Sequence, residues 1–192
     1  MNQKKAIAFF DFDGTLITAD SFWKFLQFTQ STPRLVFGAI VLSPILVLFK
    51  LKLLGNSVAK KAVMKHFFKG MPKEDFNAKC VNFSESEIKK WLNAEMLQKL
   101  KRHQELGHNV CLVSASLEDY LQPWCSQLNI SCLATKMTFK DGHFEGNYAK
   151  PNCWGPEKER RIKQAFNLEE YDAIYAYGDS RGDREMLALR RS

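Results

Sequence analysis

The stretch AIAFFDFDGTLITAD, Ala6 to Asp20, sets two carboxylates, Asp11 and Asp13, one residue apart at the end of an apolar run. Residues two apart on a strand face the same side, so both acids point one way where the strand stops. Like charges beside a buried run are costly unless something compensates them. A divalent cation with oxygen ligands would do so, and Mg2+ suits one or two carboxylates completed by waters and a phosphate. A carboxylate is also a competent nucleophile on phosphorus, splitting hydrolysis into two steps through an aspartyl phosphate.

That chemistry needs further groups, and the chain offers them far away in sequence. Ser114 and Ser116 close the apolar stretch NVCLVSAS, Asp179 and Asp183 follow YDAIYAYG, and Lys158 stands early in GPEKERRIKQAF. In open α/β sheets, ligands sit beyond the carboxyl ends of the strands, and every one of these residues falls at that edge. Asp11, Asp13 and Asp179 would then share a cation. Lys158 would offset charge on a transferring phosphoryl group. Ser114 and the backbone N–H groups of the Asp13–Thr15 turn would donate to phosphate oxygens.

The elements that must position these groups can be read from periodicity. Ile7–Phe10, Asn109–Ser116, Ile130–Thr135 and the run before Gly178 are short and apolar without alternation, the pattern of buried parallel strands. A helix is expected through Tyr120–Leu128, another opening at Pro156, and a last one over RGDREMLALRR. MTFKDGHFEGNY reads as a hairpin turning at Asp141-Gly142. Strand and helix alternate from about residue 106 onward, as in a doubly wound, Rossmann-like α/β fold with a parallel sheet. Between the first and second strands the chain reads as helical throughout. The expected domains are a core of residues 1–16 and 101–192 and a helical cap of residues 17–100 inserted after the first strand.

DFDGT, the strand-ending Ser114 in LVSAS, Lys158 in GPEKERRI and GDSRGD (Gly178–Asp183) resemble, in order, the four motifs of the haloacid dehalogenase superfamily of phosphatases. The long helical insertion after the first motif is similar to that of the phosphoserine-phosphatase-like subgroup. The resemblance implies a Mg2+-dependent phosphomonoesterase. Asp11 would be the nucleophile and Asp13 the acid that protonates the leaving group and then deprotonates water. Asp11, the Asp13 carbonyl and Asp179 would bind Mg2+, with Asp183 holding a metal-bound water or orienting Lys158. Ser114 would hold the phosphate with Ser116 beside it, and Thr15 would steady the turn. Asp20 falls where phosphoserine phosphatases place an acid that meets the substrate amine, and it equally suits an N-cap for the helix that follows. Dehalogenation is disfavoured, because Asp13 has no task in displacing halide. Transfer of the aspartyl phosphate to an acceptor other than water is the alternative reaction. Nine residues follow Asp183, where the family usually continues with at least one more strand; either the chain is truncated or the sheet is one strand short.

The charge distribution bears on the substrate. Residues 17–105 hold fifteen Lys/Arg and seven Asp/Glu, a balance of +8, while the remainder holds thirteen against fourteen, a balance of −1. Ser21–Lys73 contains no acid at all. An anionic partner is expected for that segment. Within it, Leu35–Phe49 runs without a charge and has three readings: a buried cap helix pair, an interfacial or dimer-burying surface, or a membrane span. The substrate is accordingly either a small phosphate ester or a lipid phosphate such as phosphatidylglycerophosphate. The expected partners are that substrate, an anionic membrane surface met by the basic, apolar cap, and a second copy of the chain through the cap. Nothing indicates base readout by nucleic-acid contacts. The five cysteines are scattered and odd in number, which points to a reducing compartment rather than a disulfide scaffold or zinc site. His66, His103, His108 and His143 have no metal-ligand spacing. A cytoplasmic protein, peripheral at the inner membrane surface in the lipid reading, is the expected setting.

Overall fold

The computed structural model describes residues 5–191. β1 (Ala6–Phe10) is buried along its whole length, as a strand covered on both faces must be. It lies mid-sheet, parallel to β2 (Asn109–Leu117) on one side and to β6 (Ala173–Tyr177) on the other, and β3 (Ser131–Thr135) gives the order β3-β2-β1-β6. The Asp11 N–H extends the ladder by bonding the Tyr177 carbonyl at 2.8 Å. The ends of β1 and β6 are thereby held side by side.

β2 and β3 pair regularly up to Val113 opposite Leu133 and again at Leu117 opposite Thr135. Four steps on β2 thus face two on β3, and the excess is the segment carrying Ser114 and Ser116. A bulge of this kind releases backbone from the ladder and re-aims side chains, often beside a site.

Helices α6 (Ala94–Glu105) and α7 (Glu118–Gln127) pack against β2, and α8 (Pro156–Ala165) lies against β2 and β3. The boundary expected at residue 100 falls inside α6. The helix expected over residues 181–191 is shorter: a 3-10 turn at Arg181–Asp183 leads into the single turn α9 (Arg184–Leu187). The chain then turns back, and Arg191 exchanges two backbone hydrogen bonds with Ile174, of 2.7 and 3.0 Å. Pairing the edge of β6 satisfies groups that a longer helix would leave open.

The insertion is helical, as expected: α1 (Ser21–Thr29), α2 (Thr32–Val41), α3 (Ser43–Lys50), α4 (Asn56–Phe68), α5 (Lys73–Ser86) and a 3-10 turn at Ile88–Trp91. Phe25, on α1, meets Phe83 edge-on at 5.3 Å and lies 5.1 Å from Tyr120 of α7, tying cap to core. The hairpin of β4 (Met137–Lys140) and β5 (His143–Tyr148) turns on Asp141 and Gly142, both at positive φ as a two-residue type I′ turn requires. It packs on α4 and α5 and exchanges backbone hydrogen bonds with Gly70, Met71 and Lys73. It therefore behaves physically as part of the cap.

Leu35–Phe49 forms the pair α2–α3, but it is not buried: within that stretch only Gly38 and Leu42 are. No single described helix is long and apolar enough to cross a membrane; α2 and α3 together meet that length and composition but bend by 69°.

Candidate active site

Asp11, Asp13, Ser114, Lys158 and Asp179, far apart in sequence, line one cleft of about 340 Å³, together with Asp20, Asn56, Lys60 and Trp154. The cap supplies Asn56 and Lys60, from the first turns of α4. The floor is the carboxyl edge of the sheet.

At that floor Lys158 is 2 % exposed and bridges two acids, with Nζ donating to Asp11 Oδ1 at 2.6 Å and to Asp183 Oδ1 at 2.5 Å. Burial opposes the ammonium, yet Asp11 and Asp183 outweigh it and hold its pKa above the usual lysine value. Asp183 is fully buried and satisfied on both oxygens, since Oδ2 accepts from the Ser180 N–H at 3.0 Å and its hydroxyl at 2.6 Å. Asp183 therefore orients Lys158 and fixes the Gly178–Asp183 turn.

Carboxylate oxygens of Asp11, Asp179 and Asp183 lie within 4.8 Å of one another. Burial pushes the Asp11 carboxyl up to about 7; Lys158 pulls it back down, and the charge of Asp183 adds to the rise. A hard cation among these oxygens would relieve the crowding, and the all-oxygen donor set fits Mg2+. Because Asp183 is already committed, Asp11 and Asp179 are the carboxylates left to hold it. Gly14 makes room for this: its φ is +76°, and a Cβ there would stand 2.3 Å from Asp179 Oδ2. Thr15 donates weakly to Asp179 Oδ1, at 3.4 Å, from beneath the turn. It steadies the acid and is not among the residues lining the cleft.

Asp13 faces away from this cluster. Its Oδ2 accepts from Ser116 Oγ at 2.5 Å and its Oδ1 from the Ser21 N–H at 2.7 Å. Ser116 Oγ in turn accepts from Ser21 Oγ at 2.9 Å, and Ser21 Oγ lies 3.0 Å from the Tyr120 hydroxyl. Burial raises the Asp13 carboxyl pKa, and the bonds from Ser116 and Ser21 pull it back. The two acids of the opening stretch thus sit in different surroundings, one against an ammonium and one against hydroxyls. Ser116, expected beside the phosphate, holds Asp13 instead. Ser21 and Tyr120 are not marked by any spacing in the sequence, since Ser116 lies in β2 and Tyr120 in α7.

Ser114 is buried, accepts from the Ser116 N–H at 3.0 Å and still lines the cleft. Asp20 is the N-cap of α1, its Oδ1 accepting from the Trp23 N–H at 3.0 Å, and it also lines the cleft. Of the histidines, His103 and His108 face each other at 2.8 Å beneath the sheet, away from the cleft.

A family model described as haloacid dehalogenase-like hydrolase matches residues 8–188. The chain belongs to that family. This hydrolase is 29% identical over 191 residues to Protein CicA of Caulobacter vibrioides, covering 98% of this chain and 85% of CicA. Among solved structures it is similar to a Bordetella pertussis Tohama I protein of unknown function, with a TM-score of 0.82 at 19% identity over 97% of this chain and 87% of that one. It is also similar to a phospho-aspartyl intermediate analogue of phosphoserine phosphatase, with a TM-score of 0.59 at 20% identity over 97% of this chain and 84% of the other. The hydrolase thus has the fold of the phosphoserine-phosphatase-like members of its family, and its four motifs meet at one place in that fold.

Proposed function

We propose that the protein is a Mg2+-dependent phosphomonoesterase that works through an aspartyl phosphate on Asp11. The observation that carries this reading is the Lys158 bridge. A buried ammonium between Asp11 and Asp183 keeps one Asp11 oxygen neutralised and leaves the other to attack. Asp11 and Asp179 would hold the Mg2+, which, when bound, supplies positive charge against the phosphoryl oxygens.

The chain's own residues do the rest. Ser114 and the Asp13 N–H hold the phosphate oxygens, the Thr15 N–H being committed to the Phe12 carbonyl at 3.2 Å. Asp11 attacks phosphorus as the ester oxygen leaves, and Asp13 gives that oxygen its proton. Asp13 then takes a proton from water, which attacks the phosphorus and releases phosphate from Asp11. The direction of the Asp13 shift suits this double task, since burial favours the protonated form that donates while the bonds from Ser116 and Ser21 support the carboxylate that accepts. Transfer to an alcohol follows the same path with a different acceptor.

On the substrate, two readings compete. Asp20 and Lys60 put both signs of charge at the cleft mouth, which fits a small ester carrying an amine or an acid. A lipid phosphate is favoured by the exposed apolar pair α2–α3, which leads directly into the Asn56–Lys60 rim.

Release of phosphate from an aryl phosphate, measured with Mg2+ and then with excess chelator, tests the reading. Turnover is expected only with Mg2+, and the Asp11→Asn protein is expected to be inert yet fully folded. Wild-type turnover by that variant would refute the assignment.

A further inference from the structure

Among the described residues, ten of the fifteen exposed large hydrophobics lie between Val36 and Val58. Phe37, Ile40 and Val41 recur at helical spacing on the outer side of α2, with exposures of 63, 66 and 49 %. The opposite side is fixed on α4. Gly38 lies so close to Phe67 that a Cβ would stand 2.3 Å from its ring, Leu42 is buried, and Arg34 donates to the Phe67 carbonyl at 3.2 Å. The outward face is therefore set by packing. Leu51 and Leu53, in the turn after α3, are 62 and 69 % exposed. A contiguous apolar face of this kind marks an interaction surface.

We propose that this face of α2, α3 and the turn at 51–55 docks into the headgroup region of an anionic lipid bilayer. Charge selects the occupant. Ser21–Lys73 carries nine Lys/Arg and no Asp/Glu. A second copy seated on the same face would set Lys50 and Lys52 against cations of its own segment with no acid in Ser21–Lys73 to pair them, whereas an anionic surface neutralises them. Exposed Lys50 and Lys52 flank Leu51, so apolar and cationic groups meet the surface together. Neither helix spans alone: at 1.5 Å per residue, α2 and α3 are about 15 and 12 Å long against a hydrocarbon core of roughly 30 Å, and the 69° bend between them turns the pair away from a straight span. The segment lies in the interface. The same docking would bring the Asn56–Lys60 rim towards the headgroups, a consequence that rests on the phosphatase reading; the docking itself does not.

The test is co-sedimentation of the full chain with vesicles of phosphatidylcholine alone and with phosphatidylglycerol added. Binding is expected to be at least about tenfold stronger to the anionic vesicles and to fall with added salt. Ile40→Asp with Leu53→Asp should lose it by at least about tenfold while melting at the wild-type temperature and hydrolysing a soluble aryl phosphate at the wild-type rate. Should that pair misfold, Lys50→Glu with Lys52→Glu, at exposed positions, should abolish the preference for anionic vesicles. Equal or absent binding of the wild type would overturn the proposal. So would a lipid-free dimer that Ile40→Asp converts to monomer without vesicle binding, because a second copy would then cover the face. Failure of the phosphatase reading would appear separately, as vesicle binding by a protein inert on the aryl phosphate.

Discussion

Ser116 Oγ stands 2.5 Å from Asp13 Oδ2, and that short bond holds the second acid of the DFDGT turn away from the first. Asp13 is thereby kept out of the Asp11–Asp179–Asp183 cluster and facing hydroxyls that can stabilise either protonation state. Ser116→Ala should lower kcat by about 10- to 100-fold on an alkyl phosphate, whose leaving oxygen needs a proton. It should have little effect on KM or on a nitrophenyl ester, whose leaving group is already a weak base. Asp13→Asn should show the same split more strongly, by about 10²- to 10⁴-fold. An equal loss on both substrates would assign Ser116 to phosphate binding instead.

Lys158 is the only cation touching Asp11 and Asp183 among the described side chains. Lys158→Met removes it and leaves two buried carboxylates facing each other. A loss of about 3–5 kcal/mol in urea unfolding is expected, because breaking a buried pair strands its partner. Activity should vanish as well. Lys158→Arg should not restore activity, since a planar fork cannot replace a point charge between two oxygens at these distances.

Gly14→Ala tests the close approach of the DFDGT turn to Asp179. The positive φ alone disfavours any side chain, and the new Cβ would displace the Asp179 carboxylate. Apparent Mg2+ affinity, read from the metal dependence of turnover, should weaken by at least about tenfold, with a smaller change in thermal stability. Unchanged metal dependence would separate Asp179 from the cation.

The pair beneath the sheet predicts acid sensitivity unrelated to catalysis. Burial, with the neighbouring His108, pushes the His103 pKa down to about 4, against an ordinary value near 6.5. A base with a depressed pKa is neutral in the fold while the unfolded chain takes up a proton, so stability falls as pH drops from about 6.5 towards 4. The melting temperature should decline across that window, and His103→Gln should decline less steeply. Equal slopes would show that other groups govern the acid limb.

Much of this was legible in the sequence because the signals were local and the convergence topological. Five apolar residues before Asp11 identify a central strand, and strand-helix alternation then brings Ser114, Lys158 and Asp179 to the same edge without further information. The Asp141-Gly142 turn was readable for the same reason: two consecutive positive-φ positions demand such residues. What escaped depends on contacts between distant side chains. The network that runs from Asp13 to Ser116 and Ser21, and through Ser21 to Tyr120, requires the bulge in β2, which no periodicity announces. Leu35–Phe49 was ambiguous because an apolar run looks alike whether it faces a core or the outside; Gly38 against Phe67 decides which. The short α9 was hidden because the free edge of β6 claims Arg191.

The central claim is a covalent one, that phosphate passes through Asp11. Acid quenching of the protein during turnover of an aryl phosphate, followed by peptide mass spectrometry, tests it most directly. One phosphoryl group on Asp11, discharged on further incubation and absent from Asp11→Asn, is the predicted result. Steady turnover with no phosphorylated Asp11 at any quench time, together with activity in Asp11→Asn, would contradict the account.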